Sequence, residues 1–183
     1  MRPKRWLCVI LLCLLVCALV GCGQDDSEDT GKAVVLRYNG QDICIDEMYI
    51  YAETVKESYE SKYGSDVWKK SIVTDDGLEM NAVDAARREA VAKVVKTKTL
   101  ITRSDEFGIS LTDREQKDQE KAAEEFYNIL TDEQISSVGL ELDTVKKVLC
   151  ESALADKIYK YVMKQSATEI SDEQARMSTF YDM

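Results

Sequence analysis

The chain has 183 residues, with 24 Lys and Arg against 34 Asp and Glu and a formal net charge of −10. Such an acidic surface repels nucleic acids and anionic lipid head groups, so we expect no DNA or RNA binding. The sequence contains no histidine, the commonest general base and metal ligand, and it has no glycine-rich phosphate loop. We therefore expect no metal or other cofactor, and the composition gives little support to catalysis.

Residues 1–21 have the pattern of a secretory signal peptide. Three cations, Arg2, Lys4 and Arg5, precede an apolar run, Trp6–Val20. This run has about 15 residues, fewer than the roughly 20 needed to span a bilayer. A retained membrane-spanning anchor is therefore the weaker interpretation.

The apolar run ends in Leu19-Val20-Gly21-Cys22, which resembles the lipobox of bacterial lipoproteins. The resemblance implies cleavage before Cys22 and diacylglyceryl modification of its thiol, in which palmitate would be incorporated. The alternative is an ordinary secreted protein with a chance Gly-Cys pair. Two acyl chains on one thiol form a stable anchor, whereas one chain is marginal.

Residues 22–32 are predicted to form a lipidated, flexible tether before a single domain at 33–177. The acidic segment Gly23–Lys32 can reach at most about 33–36 Å when extended. Only Cys44 and Cys150 lie within the domain. A disulfide bond between them and two separate buried thiols both remain open, because spacing alone does not place their Cα atoms within bridging distance.

The domain is predicted to begin with a hairpin, because Asn39-Gly40 separates two β-prone stretches, Val34–Tyr38 and Gln41–Ile45. Asp46 is expected to cap a helix that Gly64 ends. The following stretch is expected to be a loop or short turn, with Trp68 covering the helices.

Helical periodicity and end signals predict most of the remaining chain. A long helix from about Glu79 to Glu106 carries mostly small or β-branched apolar residues, which allow close approach of neighbours. Another runs from about Leu142 to Lys164. Capping boxes predict three more helix starts, at Thr112 with Glu115, Thr131 with Gln134, and Ser171 with Gln174. The fold class is therefore mainly α with a short N-terminal β-hairpin.

The order of these phrases is similar to the N-terminal helical domain of the SurA/PrsA family of extracytoplasmic foldases, a trigger-factor-like arrangement. The matching phrases are "VVLRYNGQDICIDEM", "ITRSDEFGISLTDRE" and a helix carrying Gly139, Leu140, Val145, Leu154, Ala155 and Lys157. The resemblance covers about Val34–Met177.

In that family a parvulin-type peptidyl-prolyl isomerase domain follows. Residues 178–183 would then be a stub, the first strand of a missing domain. Because the parvulin pocket normally contains histidine and this chain has none, no catalytic residue is assigned. The absence of a returning helix should leave apolar surface uncovered.

The resemblance implies a membrane-anchored chaperone on the extracytoplasmic face of a bacterial cell membrane, binding unfolded or nascent secreted proteins. One alternative is a partial chain of a peptidyl-prolyl cis-trans isomerase lipoprotein; another is a structural or solute-binding envelope lipoprotein. A homodimer is left open.

Clients are expected to bind apolar, aromatic grooves between helices, surrounded by an acidic rim that could attract cationic segments. Intramolecular packing is the competing interpretation for each candidate aromatic residue. The candidates are Tyr49, Tyr51, Tyr59, Tyr63, Trp68, Phe126 and Tyr127, of which Tyr49 and Tyr127 are expected to be the most exposed.

Overall fold

The computed structural model describes the backbone of residues 32–181 and the side chains of residues 32–166. The predicted signal peptide (1–21), the lipidation site Cys22 and the tether up to residue 31 lie outside these limits. The described chain is mainly helical with a short antiparallel hairpin near its start, as predicted. In chain order the elements are β1 (Val34–Tyr38), β2 (Gln41–Cys44), α1 (Ile45–Tyr63), a 3₁₀ helix (Val67–Lys69), β3 (Ser71–Val73), β4 (Glu79–Asn81), α2 (Ala82–Ile101), α3 (Ser104–Phe107), α4 (Asp113–Ile129), α5 (Asp132–Val138) and α6 (Leu142–Tyr181).

The predicted first hairpin is confirmed. β1 and β2 pair antiparallel, with Tyr38 opposite Gln41 beside the turn. The turn residues Asn39 and Gly40 have φ angles of 51° and 76°, the left-handed values that a two-residue hairpin turn requires and that Asn-Gly adopts readily.

Asp46 does not cap α1, contrary to the prediction. The cap position is two residues earlier, at Cys44, and the helix begins at Ile45, whose N–H donates to the Ala33 carbonyl at 2.8 Å. Asp46 instead lies buried in the first turn, where it accepts hydrogen bonds from Lys32 Nζ at 2.7 Å and Thr144 Oγ1 at 3.1 Å. Its carboxylate therefore links Lys32, which precedes β1, to Thr144 in the first turn of α6.

A second hairpin lies where only a loop or short turn was predicted. β3 and β4 pair antiparallel with three residues each, and Gly77 takes a φ of 79° in their connection. The Asp76-Gly77 pair is a recognised hairpin signal. Three-residue strands are too short to show a clear alternation of apolar and polar residues. The sequence analysis therefore did not predict this hairpin.

Three predicted helix boundaries are wrong. The long helix predicted from about Glu79 to Glu106 begins at Ala82, because Glu79–Asn81 form β4, and it stops at Ile101. The short α3 follows before Gly108 adopts a left-handed φ of 61°. Conversely, α6 continues to Tyr181, so Ser171 starts no separate helix and residues 178–181 form no strand. Residues 140–181 contain neither Gly nor Pro, and nothing in that sequence breaks the helical hydrogen-bond ladder.

The capping boxes at α4 and α5 are confirmed. Thr112 and Glu115 exchange hydrogen bonds at the start of α4, and Thr131 and Gln134 do so at the start of α5. The Glu115 carboxylate also pairs with Lys157 of α6 at 2.7 Å. One side chain therefore both completes a cap and joins two helices.

Two apolar clusters form the core. The first joins β2, α1, α2, α4 and α6 through buried residues such as Ile43, Ile50, Val94 and Val148. The second joins α1, the 3₁₀ helix, the second hairpin and the start of α2, with Val55 and Val67 fully buried. Contacts of Glu47 with Lys98 and of Tyr59 with the start of α2 show that α1 and α2 run antiparallel.

A buried ion network fixes α1, α2 and α6 together. The Lys98 side chain of α2 is 4% exposed, and its Nζ lies 2.7 Å from Glu47 Oε1 of α1 and 2.6 Å from Glu151 Oε2 of α6. Burial lowers the pKa of Lys98, but the hydrogen bonds and charges of the two carboxylates outweigh this and leave it above its ordinary value. Lys147 Nζ lies 3.8 Å from Glu47 Oε2 and adds a second cation.

Cys44 and Cys150 are not joined by a disulfide bond in this structure, and both are half-buried. Burial raises the pKa of the Cys150 thiol. Of the two alternatives, the structure therefore shows separate thiols at Cys44 and Cys150.

Lys98→Met should destabilise the fold by about 3–5 kcal/mol, because it leaves two carboxylates in the helix junction without their shared cation. Urea denaturation measures the loss. The triple variant with Glu47→Gln and Glu151→Gln should recover most of it. Lys121→Met, on the exposed face of α4, should change stability by less than about 0.5 kcal/mol. Equal losses in the two single variants would contradict the role of the network.

The Lys157 hydrogen bond, followed by those from the Thr112 backbone and side chain, lowers the pKa of Glu115 from 4.5 to about 2. A lowered carboxyl pKa means stabilisation that is present above the ordinary value and lost as the pH falls through the folded-state value. The melting temperature of Glu115→Gln should therefore differ most from the parent at pH 6, and the difference should shrink as the pH falls from about 4.5 towards 2. Glu133→Gln, in the first turn of α5, is the control.

Candidate functional site

An open apolar groove lies between α1 and α2 and is the strongest candidate site. Its volume is about 560 Å³. It extends along α2 from Val83 to Val91, a rise of about 12 Å along the helix axis. Its lining residues are Val35, Met48, Ala52, Glu53, Lys56, Trp68, Val83, Ala86, Arg87, Ala90 and Val91.

Small side chains create the hollow. Ala52 of α1 and Ala86 and Ala90 of α2 line the groove, and a methyl group at each position leaves room that a longer side chain would fill. Val55 of α1 and Val94 of α2, which do not line the groove, are fully buried. The two helices thus stay packed while the surface above their seam remains concave.

Trp68 provides a rigid aromatic wall. Its indole N–H donates to Glu60 Oε1 at 2.8 Å, and its ring stacks on Tyr59 with centroids 6.0 Å apart and planes inclined by 7°. The adjacent Val67 is fully buried and anchors the 3₁₀ helix. Because the indole N–H already has a hydrogen-bond partner, the apolar surface of Trp68 can line the groove without leaving that N–H unsatisfied.

The charged rim of the groove differs from the acidic rim that was expected. Within residues 32–166, the charged side chains that line it are Glu53, Lys56 and Arg87. Lys56 Nζ pairs with Glu53 at 2.9 Å, and this hydrogen bond raises the pKa of Lys56. Arg87 is 77% exposed and lies 3.4 Å from Asp84, which does not line the groove. Within the described residues, two cations, Lys56 and Arg87, therefore line the groove together with one carboxylate, Glu53, whose charge Lys56 neutralises.

Of the seven predicted client-binding aromatics, all of which the structure describes, only Trp68 lines this groove. Tyr51 and Tyr59 are buried core residues, which favours the packing interpretation for both. The others that pack half-buried against the first core cluster are Tyr49, Phe126 and Tyr127. Tyr49 and Tyr127 are thus more exposed than Tyr51 and Tyr59, but they are half-buried and not fully exposed.

Tyr59 and Tyr63 line a second, more polar cavity of about 370 Å³. Burial, followed by a hydrogen bond with Glu89, raises the pKa of Tyr59 to about 12. Lys62 lies over the Tyr63 ring, and Arg88 pairs with Asp76 at 2.7 Å. These charges already have partners within the chain, so the cavity is the weaker candidate.

Sequence reasoning missed most of the groove. Val83, Ala86, Ala90 and Val91 were recognised as apolar positions of a helix, and their small size was noted as permitting close packing. The apolar residues of this helix occupy a wider face than α1 covers, so some of them line an open groove. The sequence reasoning overlooked that width. Val35 was assigned correctly to a strand, but the pattern could not show that β1 borders the groove.

Within residues 32–166, no group of three or more His, Cys, Asp or Glu side chains could hold a metal ion. None of the helices within the described chain has the length and apolar character required to cross a bilayer.

Comparisons with protein-family models, curated proteins and solved structures find no match to this chain.

Proposed function

We propose that this protein is a membrane-anchored extracytoplasmic chaperone that binds exposed apolar segments of unfolded secreted polypeptides. The observation that supports this most directly is the open groove between α1 and α2, with its aliphatic lining and the fixed Trp68 wall. Concave apolar surfaces bordered by a few polar groups are typical of binding sites.

The size of the groove suits short apolar segments. Each aliphatic or aromatic side chain that it buries contributes about 1.5–3 kcal/mol, while association and ordering of a flexible segment cost roughly 4 kcal/mol or more. A segment that inserts two or three side chains is therefore held weakly and released readily. Such reversible binding delays aggregation without trapping the client.

Solvent exposure of the groove walls also supports the proposal. Val35 and Val91, which both line the groove, are 45% and 41% exposed. Apolar side chains left accessible beside a hollow lose water on contact with a client, which favours association. The proposed lipid anchor at Cys22 would keep this surface within reach of chains emerging at the membrane.

The double variant Val35→Lys/Val91→Lys should weaken suppression of client aggregation. Two ammonium groups at the groove walls oppose burial of apolar segments. We expect the chaperone concentration for half-suppression to rise about tenfold, equivalent to about 1.4 kcal/mol. Light scattering of a chemically unfolded client, with the full chain in detergent, measures this.

Val73→Lys/Ile129→Lys is the matched control, since both residues are exposed apolar side chains outside the groove. It adds the same charge and should leave suppression unchanged. Unfolding curves should show all four substitutions to be tolerated. Equal suppression by the two double variants, or none by the parent chain, would refute the proposal.

Anchoring is tested separately. Radiolabelled palmitate should mark the chain in bacterial cells, and Cys22→Ser should abolish the label because the modified thiol is gone. Cys150→Ser, at a half-buried domain cysteine, should remain labelled. Labelling that persists in Cys22→Ser would disprove lipidation at that position.

A further inference from the structure

The lining of the groove indicates which segments it should prefer. Trp68 and three alanine residues, Ala52, Ala86 and Ala90, line the groove, whose volume of about 560 Å³ leaves room for a bulky side chain. A void against an apolar lining forfeits dispersion contacts. A bulky side chain, particularly an aromatic ring that can lie against the indole, gains the most from entering it.

The rim adds a preference of charge. The whole chain has a net charge of −10, yet the charges lining the groove are two cations and one carboxylate. Glu53 is held by Lys56 at 2.9 Å, whereas the Arg87 side chain is 77% exposed and lies 3.4 Å from Asp84, which does not line the groove. The exposed guanidinium can therefore also donate two parallel hydrogen bonds to a carboxylate of a bound segment.

We propose that the groove selects polypeptide segments in which a bulky apolar side chain is flanked by an acidic residue. The bulky side chain occupies the space between Trp68 and the alanines, and the neighbouring carboxylate pairs with Arg87. This inference rests on the proposed function, since it names the class of segment that the same groove binds.

Four short, fluorescently labelled peptides that differ at two positions test the selection. One position is Phe or Ala, and its neighbour is Asp or Lys. Fluorescence anisotropy with the full chain should give about tenfold tighter binding for Phe than for Ala. At low salt, Asp should bind about threefold tighter than Lys, a difference typical of an exposed ion pair. That second difference should vanish at 1 M salt, where screening is nearly complete.

Trp68 reports the location of binding. The chain has two tryptophans, and Trp6 lies in the predicted signal peptide, so after cleavage the emission comes from Trp68 alone. The Phe peptide bearing Asp should shift this emission, and the Ala peptide should not. Ala52→Leu, at an exposed groove position, should fill the space and reduce the advantage of Phe.

Arg87→Glu isolates the charge effect. It should reverse the preference between Asp and Lys and preserve the preference for Phe. Arg114→Glu, at a 92% exposed side chain of α4 outside the groove, makes the same change in net charge and should alter neither preference.

The outcomes separate the two proposals. Loss of aggregation suppression in Val35→Lys/Val91→Lys, with equal binding of all four peptides, would overturn the selectivity and leave the chaperone function standing. Selective peptide binding by a chain that suppresses no aggregation would overturn the chaperone function and leave the selectivity standing. A charge preference that Arg114→Glu reverses as well would show long-range electrostatics instead of contact with Arg87.

Discussion

The arrangement of the helices depends on a lysine that cannot leave its two carboxylates. Lys98 is buried between Glu47 of α1 and Glu151 of α6, where an unpaired charge would cost several kcal/mol. Apolar contacts tolerate small slips of one helix along another, since they have little directionality. The buried ion network does not, because moving any of the three helices separates unlike charges in a region with little water. It therefore specifies register more than it adds net stability.

This constraint explains how a groove can persist between two packed helices. α1 and α2 are held at one end by Glu47 and Lys98. At the other end they are held by the second core cluster, in which Tyr59 packs with the start of α2. Between these fixed points, the alanines are too short to meet across the surface of the seam. The helices cannot move closer to close the hollow without disturbing one of the two ends, so the groove is preformed and needs no client to open it.

Local signals predicted the secondary structure well and the site poorly. The Asn39-Gly40 turn and the capping boxes at Thr112 and Thr131 depend on a few neighbouring residues, so the sequence contains all that determines them. Asp46 was misassigned because the Ile45 N–H had found its partner in Ala33, a contact that only the folded hairpin creates. The groove depends likewise on which apolar residues remain uncovered, and periodicity cannot distinguish a stripe that packs from one that lies open. Trp68 was the exception, since a large aromatic residue in a predicted loop needs a surface to cover.

The alanine residues that line the groove, Ala52, Ala86 and Ala90, also relate the stability of the fold to binding. A leucine at Ala52 would cover apolar surface of Met48 and Val83 and would add burial of its own, at about 25 cal/mol for each Å² removed from water. The chain thus forgoes a stabilising contact at the position where a bound segment would supply one. If the proposed client inserts a bulky side chain, that side chain would complete the packing of α1 against α2, and the free energy that a filled groove would give to folding would become available for binding. On this proposal the groove and the core form one apolar surface, part of which the client would cover.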